Sequence, residues 1–172
     1  TVLLPGGLGT LDEGFENLTL FQTGKSSPRP IILLESKNGT YWNTWIEWVK
    51  SVLVKNKFIS SDDVHLFQLK HSSKEAYRAI HEFYHAYHSL RYYNELTILR
   101  FTQQISQKII DRLNVEFSDI IEEGVIYTSP LSQGEIDKHD DTLKMPRLIF
   151  KFNKKSFGRL NQMIRSINEW VI

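Results

Sequence analysis

Apolar and polar positions follow two rhythms along the first 88 residues. Short unbroken apolar runs, "TVLLP" at 1–5 and "IILLE" at 31–35, read as strands buried on both faces. Longer stretches with helical spacing stand between them. The first runs from about Thr10 to Thr23 and is closed by Gly24. "KSSPRP" is a loop whose prolines stop it, and "SKNGT" is a turn. The sequon Asn38-Gly39-Thr40 falls in that turn, and the turn reading is preferred to glycosylation. In "YWNTWIEWVKSVLV" the apolar residues Trp42, Trp45, Ile46, Val49, Val52 and Leu53 keep a helical period. "DDVHLFQLK" is a third strand, and "SSKEAYRAIHEFYHAYHS" a third helix opened by a serine cap. Strand and helix alternating with short connections predict an α/β, Rossmann-like doubly wound parallel sheet over residues 1–88.

The pattern changes over residues 89–172. "ELTILRF" alternates like a half-exposed strand, and "TQQISQKIIDRLNVEFSDIIEE" is an amphipathic helix. Strand "GVIYT", a solvated loop around His139, strand "RLIFKF" and helix "FGRLNQMIRSINEWVI" follow. The order β-α-β-β-α predicts a small α+β appendage. Because the chain opens directly on a strand that needs neighbours and cover, the reading expects it to be the C-terminal part of a longer protein. The absent half would be roughly one to two hundred residues and would carry any targeting signal.

Composition narrows the partners. The 21 basic and 20 acidic residues nearly cancel, so neither nucleic acid nor a membrane surface is an expected partner. Cysteine is absent, which removes disulfides, thiolate metal sites and cysteine nucleophiles and fits a reducing compartment.

The candidate chemistry lies in "LLPGGLGTLDE", Leu3 to Glu13. Gly6, Gly7 and Gly9 stand between a buried strand and a helix start, where glycine permits positive φ and close approach of main-chain N–H groups. A helix N-terminus adds unpaired donors and partial positive charge, which together suit a phosphate. No Gly-Lys-Ser/Thr follows, and the Gly-Gly-x-Gly spacing is not the dinucleotide fingerprint. A structural reading competes: Thr10-Leu11-Asp12-Glu13 has the form of a capping box, Thr10 at the N-cap and Glu13 reaching back. That box does not account for the three glycines beside it.

The run Pro5-Gly6-Gly7-Leu8-Gly9-Thr10-Leu11-Asp12-Glu13 resembles the PGGxGTxxE signature of the LOG ("Lonely guy") family, often mislabelled lysine decarboxylases. The resemblance continues through "ENLTLFQTG", "PIILLES", "YWNTWIEWV" and "NKFIS", and the tail resembles that of longer bacterial members. It implies a Rossmann-like, dimeric, cytoplasmic phosphoribohydrolase that needs neither metal nor other cofactor. Such an enzyme splits a nucleoside 5′-monophosphate into free base and ribose 5-phosphate. It implies that Gly6, Gly7, Gly9 and Thr10, with Leu11 in the same turn, hold the phosphate. Glu13 is implied as the catalytic carboxylate, with Asp12 and Thr19 bordering the ligand. Glu16, three residues on from Glu13, shares its helix face and is read as supporting. The family's catalytic arginine and a further ligand-binding acid lie upstream of the signature, and Arg29 is in the wrong place to replace the former. These residues alone are therefore expected to be inactive until the upstream segment is supplied. A second reading keeps the scaffold without the chemistry, as a nucleotide or molybdenum-cofactor carrier. A true decarboxylase would need a lysine aldimine with pyridoxal phosphate, and no local motif suggests one.

His81, His85 and His88 recur at i, i+4 and i+7 on the predicted third helix, a spacing able to hold a metal, with a partly buried histidine–aromatic face as the preferred reading. Trp42, Trp45 and Trp48 are read as core or dimer packing.

Overall fold

A computed structural model describes residues 1–129 and 141–171. The chain divides into two compact units, Thr1–Phe83 with Lys154–Gln162, and Tyr84–Asn153 with Met163–Ile172.

In the first unit, strands β1 (Val2–Leu3), β2 (Ile32–Leu34) and β3 (Gln68–Lys70) form a parallel sheet in the order β1-β2-β3. Val2 pairs with Ile32 and Leu33 with Leu69. Helices α1 (Leu8–Gln22) and α2 (Tyr41–Trp48) make the crossovers, and α3 (Ser73–Phe83) follows β3. This is the Rossmann-like α/β arrangement that the alternating pattern predicts. Its core is the apolar run of β2, where Ile31, Ile32 and Leu33 are almost fully buried, with Phe21 of α1 and Trp42 of α2. Burial on both sides is what an unbroken apolar strand requires.

Local chemistry sets the joints. Gly24 ends α1 with φ +69°, the left-handed stop that glycine adopts without penalty, and a Cβ there would run into the ring of Phe157. After Trp48 the second helix widens into a π turn, Val49–Val54, closed by Lys55 N–H to Lys50 O and Phe58 N–H to Leu53 O. "DDVHLFQLK" is a strand only over its last residues. Ser60 caps a 3₁₀ turn, Ser61–Leu66, with Asp63 accepting back from the Ser60 N–H, so the two aspartates serve a helix start.

The second unit is an antiparallel sheet in the order β4-β5-β7-β6. Its strands are β4 (Tyr87–Tyr93), β5 (Leu96–Phe101), β6 (Ile121–Tyr127) and β7 (Arg147–Phe152). Helix α4 (Gln107–Glu116) joins β5 to β6, and α5 (Phe157–Trp170) supplies the buried Met163, Ile164 and Ile167. Among the described residues the order is therefore β-β-α-β-β-α, with one strand more than the β-α-β-β-α expectation. The segment read as the end of the third helix is β4. Ala79, Phe83, Ala86 and Tyr87 are all buried and keep a helical spacing, so the period runs on past the point where the helix stops. Asn94, with φ +52°, then turns β4 back so that Tyr93 pairs with Leu96. β5 is not half-exposed either: Thr97 through Phe101 are buried on both faces. The loop around His139 lies outside the described residues.

Asn168 locks the start of β4. Its buried Oδ1 accepts from the N–H groups of Ala86 (2.8 Å) and Tyr87 (3.0 Å), while its Nδ2 donates to Ile164 O. Asn168→Ala strands two buried donors at about 1–3 kcal/mol each. Chemical denaturation should show a loss of about 2–6 kcal/mol.

Candidate functional site

The site is built where β1 gives way to α1. Gly7 is the N-cap of α1, with extended backbone (φ −86°, ψ −157°) and no side-chain cap. Its carbonyl accepts from Thr10 N–H (3.1 Å) and Leu11 N–H (3.3 Å). The N–H groups of Leu8 and Gly9, in the first helical turn, have no acceptor within the helix. They point out of the helix start toward solvent, carrying the positive end of its dipole.

Two expectations are corrected here. Thr10 is not the N-cap and Glu13 does not reach back, because the helix begins at Leu8, two residues before the predicted start. The capping box therefore does not explain this stretch. Nor do Gly6, Gly7 and Gly9 have positive φ, which among the described glycines belongs to Gly24 and Gly124. Their reason is space. A Cβ on Gly6 would collide with the Thr10 hydroxyl, whereas at Gly7 and Gly9 it would meet nothing within 4 Å. The first glycine lets Thr10 fold back over the turn, and the other two keep an open hollow beside the free N–H groups.

Glu13 lies one turn above Gly9 and Thr10, on their side of the helix. It is exposed, and its carboxylate takes no hydrogen bond or ion pair among the described residues. Its main-chain carbonyl accepts from Asn17 Nδ2 (2.8 Å). Asp12 and Glu16 are also exposed, four residues apart on the same helix. Thr19 is placed otherwise. It stands ten residues beyond Gly9, about 15 Å along the axis, on the wall of a separate cavity with Phe15 and Trp45. Arg29 donates to Asn17 Oδ1 (2.8 Å) ahead of β2, at the amino end of the sheet and so opposite the glycine turn.

Of two residues that the sequence reading passes over, one holds the turn and the other anchors the helix that carries it. Tyr41, first residue of α2, donates its hydroxyl to the Gly6 carbonyl at 2.7 Å. Glu35, at the carboxyl end of β2, is 4% exposed and accepts from Trp42 N–H (3.0 Å) and Asn43 Nδ2 (2.9 Å). It thus caps α2 from a distance, a carboxylate at the positive end of that helix. The signal for Glu35 was a charge directly prolonging an apolar strand. Tyr41→Phe removes one exposed hydrogen bond and should cost about 0.5–1.5 kcal/mol, read by chemical denaturation.

The histidine expectation fails. Helix α3 ends at Phe83, so His85 and His88 lie beyond it, and His81, His85 and His88 are all exposed rather than part of a buried aromatic face. Among the described residues no cluster of three metal-ligating side chains occurs. The tryptophan stripe passes from core to surface: Trp42 is buried, Trp45 packs against Phe15 and Phe67, and Trp48 is 43% exposed. No helix among the described residues is long and apolar enough to cross a membrane.

None of the curated proteins compared with the chain matches it. A family model described as "Possible lysine decarboxylase" matches residues 1–80. That span takes in the glycine turn, Glu13, the three parallel strands and most of α3. Residues 1–80 thus match the LOG family, the one often labelled possible lysine decarboxylase.

Proposed function

We propose that this protein hydrolyses the N-glycosidic bond of nucleoside 5′-monophosphates, releasing the free base and ribose 5-phosphate. Family membership supports a nucleotide-processing role, and the glycine turn supports the finer reading. The observation that carries it is the hollow at Gly7 and Gly9, open beside main-chain donors at a helix start. A phosphate dianion there would accept from the N–H groups of Leu8 and Gly9, each such bond contributing about 1.5–3 kcal/mol. The Thr10 hydroxyl, held over Gly6, closes the cradle from the helix side.

With the phosphate so placed, the ribose extends up α1 toward Glu13. Breaking the N-glycosidic bond leaves positive charge on the ribose ring while the electron pair departs with the base. A carboxylate one turn from the phosphate can stabilise that charge and take the proton from the attacking water. Water adds to the anomeric carbon, and the base leaves with a proton. Asp12 and Glu16 would shape the field around Glu13. An arginine from a segment upstream of residue 1 would complete the site.

The test is base release by the full-length protein from a panel of nucleoside 5′-monophosphates, with the matching ribosides as controls. Cleavage of the monophosphates alone is the expected result. Tight nucleotide binding without base release would favour a carrier, for nucleotides or the molybdenum cofactor. Carbon dioxide from lysine with pyridoxal phosphate would favour the decarboxylase label.

A further inference from the structure

The peptide between Gly6 and Gly7 is the least restrained in the glycine turn. Turning a peptide plane over changes ψ of the residue before it and φ of the residue after it. Here both residues are glycine, which adopts positive φ about as readily as negative. At Gly7 (φ −86°) no Cβ resists such a flip, and one placed there would meet nothing within 4 Å. Local sterics therefore choose neither face of this peptide.

The two faces are chemically opposite, because the C=O and N–H of a planar trans peptide point in opposite directions. In the observed orientation the Gly6 carbonyl faces Tyr41, whose hydroxyl donates to it at 2.7 Å. The Gly7 N–H is thereby turned away from Tyr41, and it meets no acceptor among the described residues. With those of Leu8 and Gly9 it makes three consecutive unpaired donors at the start of α1. Flipped, the same peptide would present an oxygen where the N–H now stands. An anion at the helix start would then meet a negative end in place of a donor.

Tyr41 is itself held in place. It is the first residue of α2, and the next two residues tie that helix start to the buried Glu35 carboxylate, through Trp42 N–H (3.0 Å) and Asn43 Nδ2 (2.9 Å). Its ring stands edge-on to that of buried Trp42, with centroids 4.8 Å apart. No main-chain donor reaches Gly6 O among the described residues, so the hydroxyl is what fixes the peptide's face. We propose that Tyr41 is a positioning residue for the phosphate group, its hydroxyl holding the Gly6–Gly7 peptide in the orientation that donates to the anion, a role that rests on reading the glycine turn as a phosphate site.

Tyr41→Phe in the full-length protein tests this, since it keeps the ring and its packing and removes only the donor. Calorimetry with ribose 5-phosphate should show affinity lower by about tenfold or more, the scale of one charge-assisted hydrogen bond, at unchanged stoichiometry. With AMP as substrate, KM should rise while kcat holds, as expected when binding common to ground and transition states is lost. A tyrosine that only supported the fold would act the other way, lowering stoichiometry and kcat with the folded fraction and leaving affinity and KM alone. That pattern, or a variant whose affinity equals the parent's, overturns the role of Tyr41 and leaves the phosphate site standing. A parent protein that does not bind ribose 5-phosphate overturns the phosphate site, and the role of Tyr41 with it.

Discussion

Glu13→Gln in the full-length protein should abolish base release from AMP while leaving nucleotide binding and stability intact. General acid–base participation is worth about 10²- to 10⁴-fold, and the expected fall in kcat lies in that range. The structure makes this substitution unusually clean. Glu13 is exposed, its carboxylate makes no bond within the described residues, and it does not serve the capping box that its sequence suggests. A surface change with no structural partner should alter stability by about 0.5 kcal/mol at most. A loss of turnover can therefore be assigned to chemistry, with single-turnover kinetics and equilibrium binding measured on the same preparation. Unchanged kcat would remove Glu13 from the mechanism, and lost binding with retained kcat would make it a ligand-holding group.

Gly9→Ala carries the second large effect, and its two consequences have opposite signs. Gly9 lies inside α1, where alanine is favoured over glycine by about 1 kcal/mol, and the added Cβ meets no protein atom within 4 Å. The variant should be as stable as the parent or slightly more so. Helical Cβ atoms tilt toward the N-terminus, so the methyl would enter the hollow proposed for the phosphate. Displacing one charge-assisted bond at about 1.5–3 kcal/mol should weaken nucleotide affinity by roughly 10- to 150-fold. Stability by denaturation and affinity by calorimetry should move apart. If both stay unchanged, the hollow is not where the nucleotide binds.

Much of the scaffold was legible because burial left periodic marks. The unbroken run at 31–35 became the central parallel strand, and Gly24 marked the end of α1 within a residue. The errors have a common origin in contacts distant in sequence. Helical spacing of buried residues continued through Ala86 and Tyr87, although their N–H groups are claimed by Asn168, some 80 positions later. No local pattern reports such a partner, and the helix was extended into a strand. The start of α1 was misplaced for the converse reason. Thr10 looks like a cap, but the backbone at Gly7 can cap without a side chain.

The candidate site was legible in its residue types and less so in its reasons. The glycines were expected to supply unusual φ, whereas they supply room, one of them for the hydroxyl of Thr10. Tyr41 and Glu35 escaped notice because the first reaches back 35 residues to Gly6 and the second is a buried acid whose partners follow a turn. Thr19 shares the helix with the glycine turn and lines a separate cavity about 15 Å along it.

The most direct test is a crystal structure of the full-length protein with a bound nucleoside 5′-monophosphate or ribose 5-phosphate. The phosphate is predicted to lie within hydrogen-bond reach of the Leu8 and Gly9 main-chain nitrogens and the Thr10 hydroxyl, with the sugar beneath Glu13. A ligand bound elsewhere, with protein atoms filling the space beside Gly7 and Gly9, would contradict the account.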